Sequence, residues 1–263
     1  MIKFSARSEM GRIRTNNEDN CYCNGIFMTV SERERPFFLN GNTAPPCVFA
    51  VCDGMGGEDC GELASLTAVE TLAKFAKKIP VEKNSVSDFV NAANTRMIEI
   101  MKQQKIRMGT TLVLAVINEN SFTLYNIGDS RIYRLEAENQ RLLRVTDDHS
   151  LAEDKVRMGL ITPAQAEKDR DRHVLTRYLG IDDEEFSFAP DVYGPFDFNL
   201  NKKILLCSDG LTDMLSYGEI SEIMRTNADV SEISDNLVDA ALKNGGKDNV
   251  TCIVIEIKSQ EEK

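Results

Sequence analysis

Val48-Phe49-Ala50-Val51-Cys52-Asp53-Gly54 is an apolar run that stops abruptly at an aspartate followed by glycine. A short run of this kind reads as a β-strand, which places the carboxylate at a strand end. The pattern returns in Leu124-Tyr125-Asn126-Ile127-Gly128-Asp129-Ser130 and in Ile204-Leu205-Leu206-Cys207-Ser208-Asp209-Gly210. A fourth carboxylate, Asp248, stands just before the strand-like run Val250-Thr251-Cys252-Ile253-Val254-Ile255. Strand ends from distant parts of a chain can meet on one edge of a sheet. Anions gathered there repel one another, and a hard divalent cation is the natural counter-charge. Asp-Gly is also a common turn dipeptide. The pattern alone therefore leaves a hairpin turn and a metal ligand both open.

Further strands are expected near residues 2–9, 20–30, 111–117, 122–127, 131–135, 185–192 and 203–207. Leu63, Leu66, Val69, Leu72, Ala76 and Ile79 recur at helical spacing, and Pro80 stops the run. Ser85 with Asp88 resembles a capping box opening a second helix along Phe89, Ala93, Met97, Ile100 and Met101. Residues 111–135 read as a mostly antiparallel meander. The charged stretch 147–173 reads as a helical insert, with Ser150 and Thr162-Pro163-Ala164-Gln165 as helix starts. Helices are expected at 211–225 and 231–243, with Asn244-Gly245-Gly246 as the stop. Residues 31–46 read as a surface loop. Strands in two groups, with helices between and after them, predict an α+β fold: two sheets packed as a sandwich with helices outside.

The chain has 263 residues with 42% apolar content, enough for one large core. No stretch approaches the ~18 apolar residues that span a bilayer. The N-terminal segment has no long apolar stretch and does not read as a secretory signal. Seven cysteines, an odd number sitting mostly in apolar runs, read as buried hydrophobes of a reducing cytosol. A cytoplasmic location is expected. A net charge of −11 repels nucleic acid and anionic lipid, so neither is expected as a partner.

Several chemistries are absent by inspection. No cysteine is followed six residues later by arginine, and no Asp-x-Asp-x-Thr/Val follows a strand. There is no Walker loop, dinucleotide fingerprint or Gly-x-Ser-x-Gly elbow. Two histidines, His149 and His173, are too few for a binuclear site built on imidazoles, and their charged surroundings suggest exposed or structural roles. What remains is an oxygen-ligand site suited to Mg²⁺ or Mn²⁺, ions that serve phosphoester chemistry. Arg14, in Gly11-Arg12-Ile13-Arg14-Thr15-Asn16-Asn17-Glu18-Asp19, offers a guanidinium fork for phosphate oxygens.

At this point the chain resembles the metal-dependent (type 2C, PPM) Ser/Thr protein phosphatases in their compact bacterial form. The matching segments are Arg14–Asp19, Val51–Gly57, Gly109–Thr111, Gly128–Arg131, Thr146–Ser150, Leu175–Gly180, Ser208–Leu211 and Asp248–Thr251, in the family's order. Each is short; the ordered set is specific. The resemblance implies an αββα sandwich of two mainly antiparallel sheets, with a flap near 147–173 that extends to about 180. One catalytic domain would cover 1–258, followed by a polar tail at 259–263. Asp53 would bridge two Mn²⁺ or Mg²⁺ ions, with the Gly54 carbonyl, Asp209 and Asp248 completing their protein ligands. Glu18 and Asp19 would hold metal-bound waters, and Arg14 would bind the phosphoryl group. Asp129 would serve a third ion, supported by Asp213.

The implied activity is hydrolysis of phosphoserine and phosphothreonine in proteins by a metal-bridging water, opposing Ser/Thr kinases. The implied partners are a kinase and its targets, and the implied state is a monomer. The alternative is a weak pseudophosphatase that binds phosphoproteins. Two departures stand out. Animal members carry histidine after the Asp-Gly, whereas this chain has Met55, and the 31–46 loop lengthens the span between Asp19 and Asp53.

Overall fold

The apolar runs are strands because both of their faces are covered. In Cys47–Cys52, Val48, Ala50 and Cys52 pack toward helices, while Cys47, Phe49 and Val51 face a second sheet. With side chains alternating from one face to the other, a strand buried on both sides must be apolar at every position. The computed structural model describes residues 1–56, 60–80, 82, 84–181, 188–198 and 201–257. Its strands in chain order are β1 (Ile2–Glu9), β2 (Asn20–Cys23), β3 (Ile26–Phe27), β4 (Phe37–Thr43), β5 (Cys47–Cys52), β6 (Gly54–Gly56), β7 (Met108–Thr110), β8 (Leu112–Ile117), β9 (Ser121–Ile127), β10 (Arg131–Glu136), β11 (Leu142–Arg144), β12 (Asp191–Asp197), β13 (Asn201–Cys207) and β14 (Val250–Ile257). The helices are α1 (Gly61–Phe75), α2 (Ser85–Gln104), α3 (Leu151–Arg157), α4 (Pro163–Ala166), α5 (Asp209–Thr212), α6 (Tyr217–Arg225) and α7 (Val230–Lys243).

One six-stranded sheet runs β11-β10-β13-β14-β1-β4, the other runs β12-β9-β8-β5-β2-β3, and β6-β7 forms a small ribbon. Every strand pairing among the described residues is antiparallel. Three cores stack through the molecule. Helices α1 and α2 bury Ala64, Leu72, Phe89 and Met97 against the second sheet. Phe49, Val113, Ile204 and Ile253 fill the space between the sheets. Ile233, Leu237, Val238 and Ala241 of α7 cover the first sheet. This is the expected αββα sandwich. Each fully buried Leu or Phe contributes about 1.5–3 kcal/mol, spread over three layers.

Local structure departs from the sequence reading at several points. The 31–46 segment is not all loop: Phe37–Thr43 forms β4 and pairs with β1 from Ile2↔Thr43 to Ser8↔Phe37. Its alternation of partly and fully exposed residues is typical of an edge strand, and it hid the signal. The strand expected at 20–30 is the hairpin β2–β3, turning over at Asn24–Gly25. The meander breaks after β9, because β10 crosses into the other sheet and pairs with β13. Ser85 caps nothing; Asn84 holds the N-cap position, and the Ser85 hydroxyl donates instead to Ile79 and Glu82 carbonyls. The helix expected at 211–225 is two helices, because Ser216 and Glu219 form a capping box that starts α6. Strand β12 starts at Asp191, later than expected, and residues 182–187 lie outside the described residues.

Candidate active site

Sheet geometry brings the four strand-end carboxylates to one end of the sandwich. Asp53 leaves β5 and Asp129 follows β9, both in the second sheet. Asp209 follows β13 and Asp248 precedes β14; these are antiparallel neighbours in the first sheet, with Cys207 opposite Cys252. The turn chemistry suggested by Asp-Gly is not what the glycines serve. A Cβ on Gly210 would lie 2.0 Å from the Asn249 carbonyl oxygen, and one on Gly54 would lie 2.1 Å from that of Gly61. Both glycines are there because another backbone passes too close for a side chain.

The segment before β2 supplies the rest of the cluster. Asp19 is fully buried and accepts a 2.8 Å hydrogen bond from the Ser208 hydroxyl. Burial, only partly offset by hydrogen bonds from Thr251 and Ser208, pushes its carboxyl up to about 7. Burial and then the neighbouring Asp19, Asp209, Asp129 and Asp248 raise the Asp53 carboxyl well above the usual carboxylate range. Asp129 is raised in the same way, by burial first and Asp209 second. The half-buried Glu18 is raised chiefly by burial. Its backbone is fixed at both ends: the Glu18 N–H donates to Asn249 Oδ1 at 2.8 Å, and its carbonyl accepts from the Gly54 N–H at 3.2 Å.

Among the described residues, the side chains that ion-pair with these acids are Arg14, Arg172 and His173. Arg14 donates from Nη2 to Asp248 Oδ2 at 2.7 Å and lies 3.9 Å from Glu18. His173 lies 3.4 Å from Asp209 and 3.3 Å from Asp213. Hydrogen bonds to Asp209 and then Asp213 push its imidazole up to about 10. Arg172 donates to Asp213 at 2.9 Å. The Asp53 main-chain carbonyl accepts from the Thr111 N–H and the Thr110 hydroxyl, but its carboxylate has no hydrogen-bond donor and no ion-pair partner among the described residues. An acidic cluster whose central carboxylate is unpartnered, and whose donors are all oxygens, suits a hard divalent cation. Asp129, Asp209 and His173 each present a ligand atom within 4.8 Å of the others.

The two histidines differ. His149 is fully buried: its Nδ1 accepts from the Gly128 N–H at 3.0 Å, and its Nε2 faces Asp191 at 3.1 Å. Burial holds its imidazole below the ordinary value. It roots the flap, whose return strand bonds to it through Thr176 N–H to the His149 carbonyl. Asp148 beside it takes a forked contact from Arg131 and a further bond from Arg144, both at 2.7 Å. His173 is exposed, as expected, and its ring reaches the Asp129–Asp209 corner of the cluster.

Sequence reasoning missed the supporting groups. Asn249 donates to the carbonyls of Met10 and Asn16 while accepting from Glu18. Arg33, buried although it comes from the inserted segment, donates to the Asn17 carbonyl at 2.9 Å and to Ser65 at 3.1 Å. Asn249 lies inside a motif already singled out; nothing in the sequence marks Arg33.

The chain matches the family described as Protein phosphatase 2C over residues 39–245. It is 32% identical over 259 residues to the serine/threonine phosphatase stp of Listeria welshimeri, covering 95% of this chain and 94% of that one. The structure of the serine/threonine phosphatase Stp1 of Staphylococcus aureus superposes with a TM-score of 0.81 at 28% identity, over 98% of this chain and 96% of that one. The catalytic domain of PstP, solved in complex with two manganese ions, superposes with a TM-score of 0.76 at 28% identity, over 98% and 100% of the two chains. An acid cluster at one end of an αββα sandwich, a flap rooted on His149 and these likenesses all point the same way: the chain belongs to the protein phosphatase 2C family of serine/threonine protein phosphatases.

Proposed function

We propose that this chain hydrolyses phosphoserine and phosphothreonine esters in proteins at the acid cluster, using two Mn²⁺ or Mg²⁺ ions and, at the Asp129 corner, a third. The observation that carries this reading is Asp53: a carboxylate without hydrogen bond or ion pair among the described residues, placed among Asp19, Asp129, Asp209 and Asp248. Asp53, Asp209, Asp248 and the Gly54 carbonyl would hold the ion pair. Asp129 and Asp209, supported by Asp213, would hold the third. When bound, such ions ionise a water for in-line attack and neutralise phosphate charge.

The chain's own residues do the rest. Glu18 and Asp19 accept hydrogen bonds from water in the site. The Ser208 hydroxyl orients the Asp19 carboxylate, and Asn249 fixes the Glu18 main chain. Arg14, half-exposed at the mouth, swings from Asp248 to fork onto two phosphoryl oxygens. Met55 carries no transferable proton, so the leaving serine or threonine oxygen takes its proton from water. Partners are phosphoproteins, including a Ser/Thr kinase and its targets, with the chain working as a cytoplasmic monomer. Among the described residues no helix is long and apolar enough to cross a membrane. The alternative, a binding module without turnover, would be favoured by a missing acid, and all of the acids are present.

The test is p-nitrophenyl phosphate turnover with Mn²⁺, with EDTA, and in Asp53→Asn. EDTA abolishes turnover and Asp53→Asn lowers kcat by at least about 10²-fold, several kcal/mol of transition-state stabilisation. Equal rates in all three would end this reading.

A further inference from the structure

A groove of about 740 Å³ is lined from Met55 onward, two residues along the chain from Asp53. Its floor is the continuation of the catalytic strand end: Met55 and Gly56 of β6, paired with Gly109 and Met108 of β7. One wall is the C-terminal turn of α2, with Met101. The other is the returning limb of the flap, with Leu175 and Tyr178. That limb is fixed to β7 by the reciprocal backbone bonds of Thr110 and Leu179, at 3.0 and 2.9 Å. The groove is thus built from hydrogen-bonded segments, and its Met55 floor continues the chain from the Asp53-Gly54 strand end.

Its chemistry is mixed in a particular way. Three methionines, Met55, Met101 and Met108, and the Tyr178 ring line it. Thioethers conform to apolar side chains of different shape, and such surfaces accept varied partners. Two cations, Lys102 and Arg107, are exposed along it, in a chain whose net charge is −11. The Arg107 guanidinium has no ion pair or hydrogen bond among the described residues. Positive charge here complements an anion in a molecule that otherwise repels anions.

We propose that this groove binds the stretch of the phosphoprotein substrate next to the phosphorylated residue, seating a bulky apolar side chain on the methionines and an acidic side chain against Arg107. This rests on the phosphatase reading above and adds a substrate preference to it. Strand β6 advances about 3.3 Å per residue, so the methionine floor begins roughly 7 Å from the Asp53 turn. An extended peptide covers that distance in two or three residues. The apolar side chain therefore lies two or three positions from the phosphoresidue, and the acid lies one or two positions beyond it, because Arg107 directly precedes β7.

The experiment compares phosphothreonine peptides on the Mn²⁺-loaded enzyme. One set carries leucine or alanine at the second and third positions on each side, and the other carries glutamate or lysine one or two positions further out. Each is assayed with the wild type and with Arg107→Glu, beside p-nitrophenyl phosphate. Leucine on one side raises kcat/KM about tenfold over alanine, mainly through KM. Arg107→Glu lowers kcat/KM for the glutamate peptide about tenfold and improves the lysine peptide, while p-nitrophenyl phosphate turnover is unchanged. Peptide rates flat within twofold, or an Arg107→Glu enzyme with unaltered charge preference, overturn the groove assignment and leave the phosphatase reading standing. A wild type that fails on p-nitrophenyl phosphate overturns both.

Discussion

Asp129 shows what the site costs at the scale of a single residue. It is almost fully buried, its carboxyl is raised by burial and by Asp209, and among the described residues the His173 imidazole is the basic group that shares its corner. A charge held in such a place destabilises a protein that has no ion to offset it. Asp129→Asn removes the charge and keeps the shape. In EDTA the variant gains about 1–2 kcal/mol, or roughly 2–6 °C in Tm, and with Mn²⁺ present it loses turnover. Thermal unfolding in EDTA beside a Mn²⁺ activity assay checks both halves, and a Tm below wild type would contradict the account. At this scale the acids were legible in the sequence, because a carboxylate ending an apolar run is conspicuous. The groups that hold them were not. Asn249, Ser208 and Arg33 act through contacts across 16 to 239 positions of the chain, which no local pattern records. His173 looked like one more charged-surface residue because only the folded flap brings it to Asp209.

At the scale of elements, the cluster depends on how β13 and β14 end. Ser208 N–H bonds to the Thr251 carbonyl at 3.0 Å, and the Ser208 hydroxyl accepts from the Thr251 N–H at 3.0 Å. This lock sets Asp209 at the first turn of α5 beside Asp248. Gly210 sits where that turn touches the 248–249 backbone. Gly210→Ala puts a methyl group 2.0 Å from the Asn249 carbonyl oxygen, far inside contact distance. The two strand ends must separate, and the expected result is a loss of about 2–4 kcal/mol in stability with at least a tenfold rise in the Mn²⁺ concentration needed for half-maximal activity. Urea unfolding and a Mn²⁺ titration measure the two effects; wild-type values for both would remove this role from Gly210. Elements with a buried face on each side were the easiest to read. Strand β4 was hidden by its edge position, and the division of 209–225 into two helices depended on a capping box at Ser216 that the apolar spacing outweighed.

At the scale of the molecule, the order of short motifs along the chain carried more information than any one of them. It agreed with the two packed sheets and outer helices that the pattern of elements already predicted. It did not show which sheet each acid belongs to, because strand β10 leaves the meander for the opposite sheet and the sequence between β9 and β10 is only three residues, Gly128-Asp129-Ser130. Ions that bind the folded chain alone raise its stability by mass action, about 2.7 kcal/mol at one hundred times the dissociation constant. Saturating Mn²⁺ therefore raises Tm by roughly 5–10 °C, EDTA reverses the rise, and Asp53→Asn abolishes it. Calorimetry with and without the ion checks this, and a Tm indifferent to Mn²⁺ would separate the acid cluster from metal binding.

Of the strand-end acids, Asp53 ends a strand of one sheet, Asp209 and Asp248 flank strands of the other, and Asp129 lies on the crossing between the two. Whatever occupies the cluster is therefore a clasp across the seam between the halves. While the clasp is fastened, the sandwich cannot begin to peel apart from that rim. Opening then has to start at the far rim, and amide exchange should slow most where β5, β9, β13 and β14 converge.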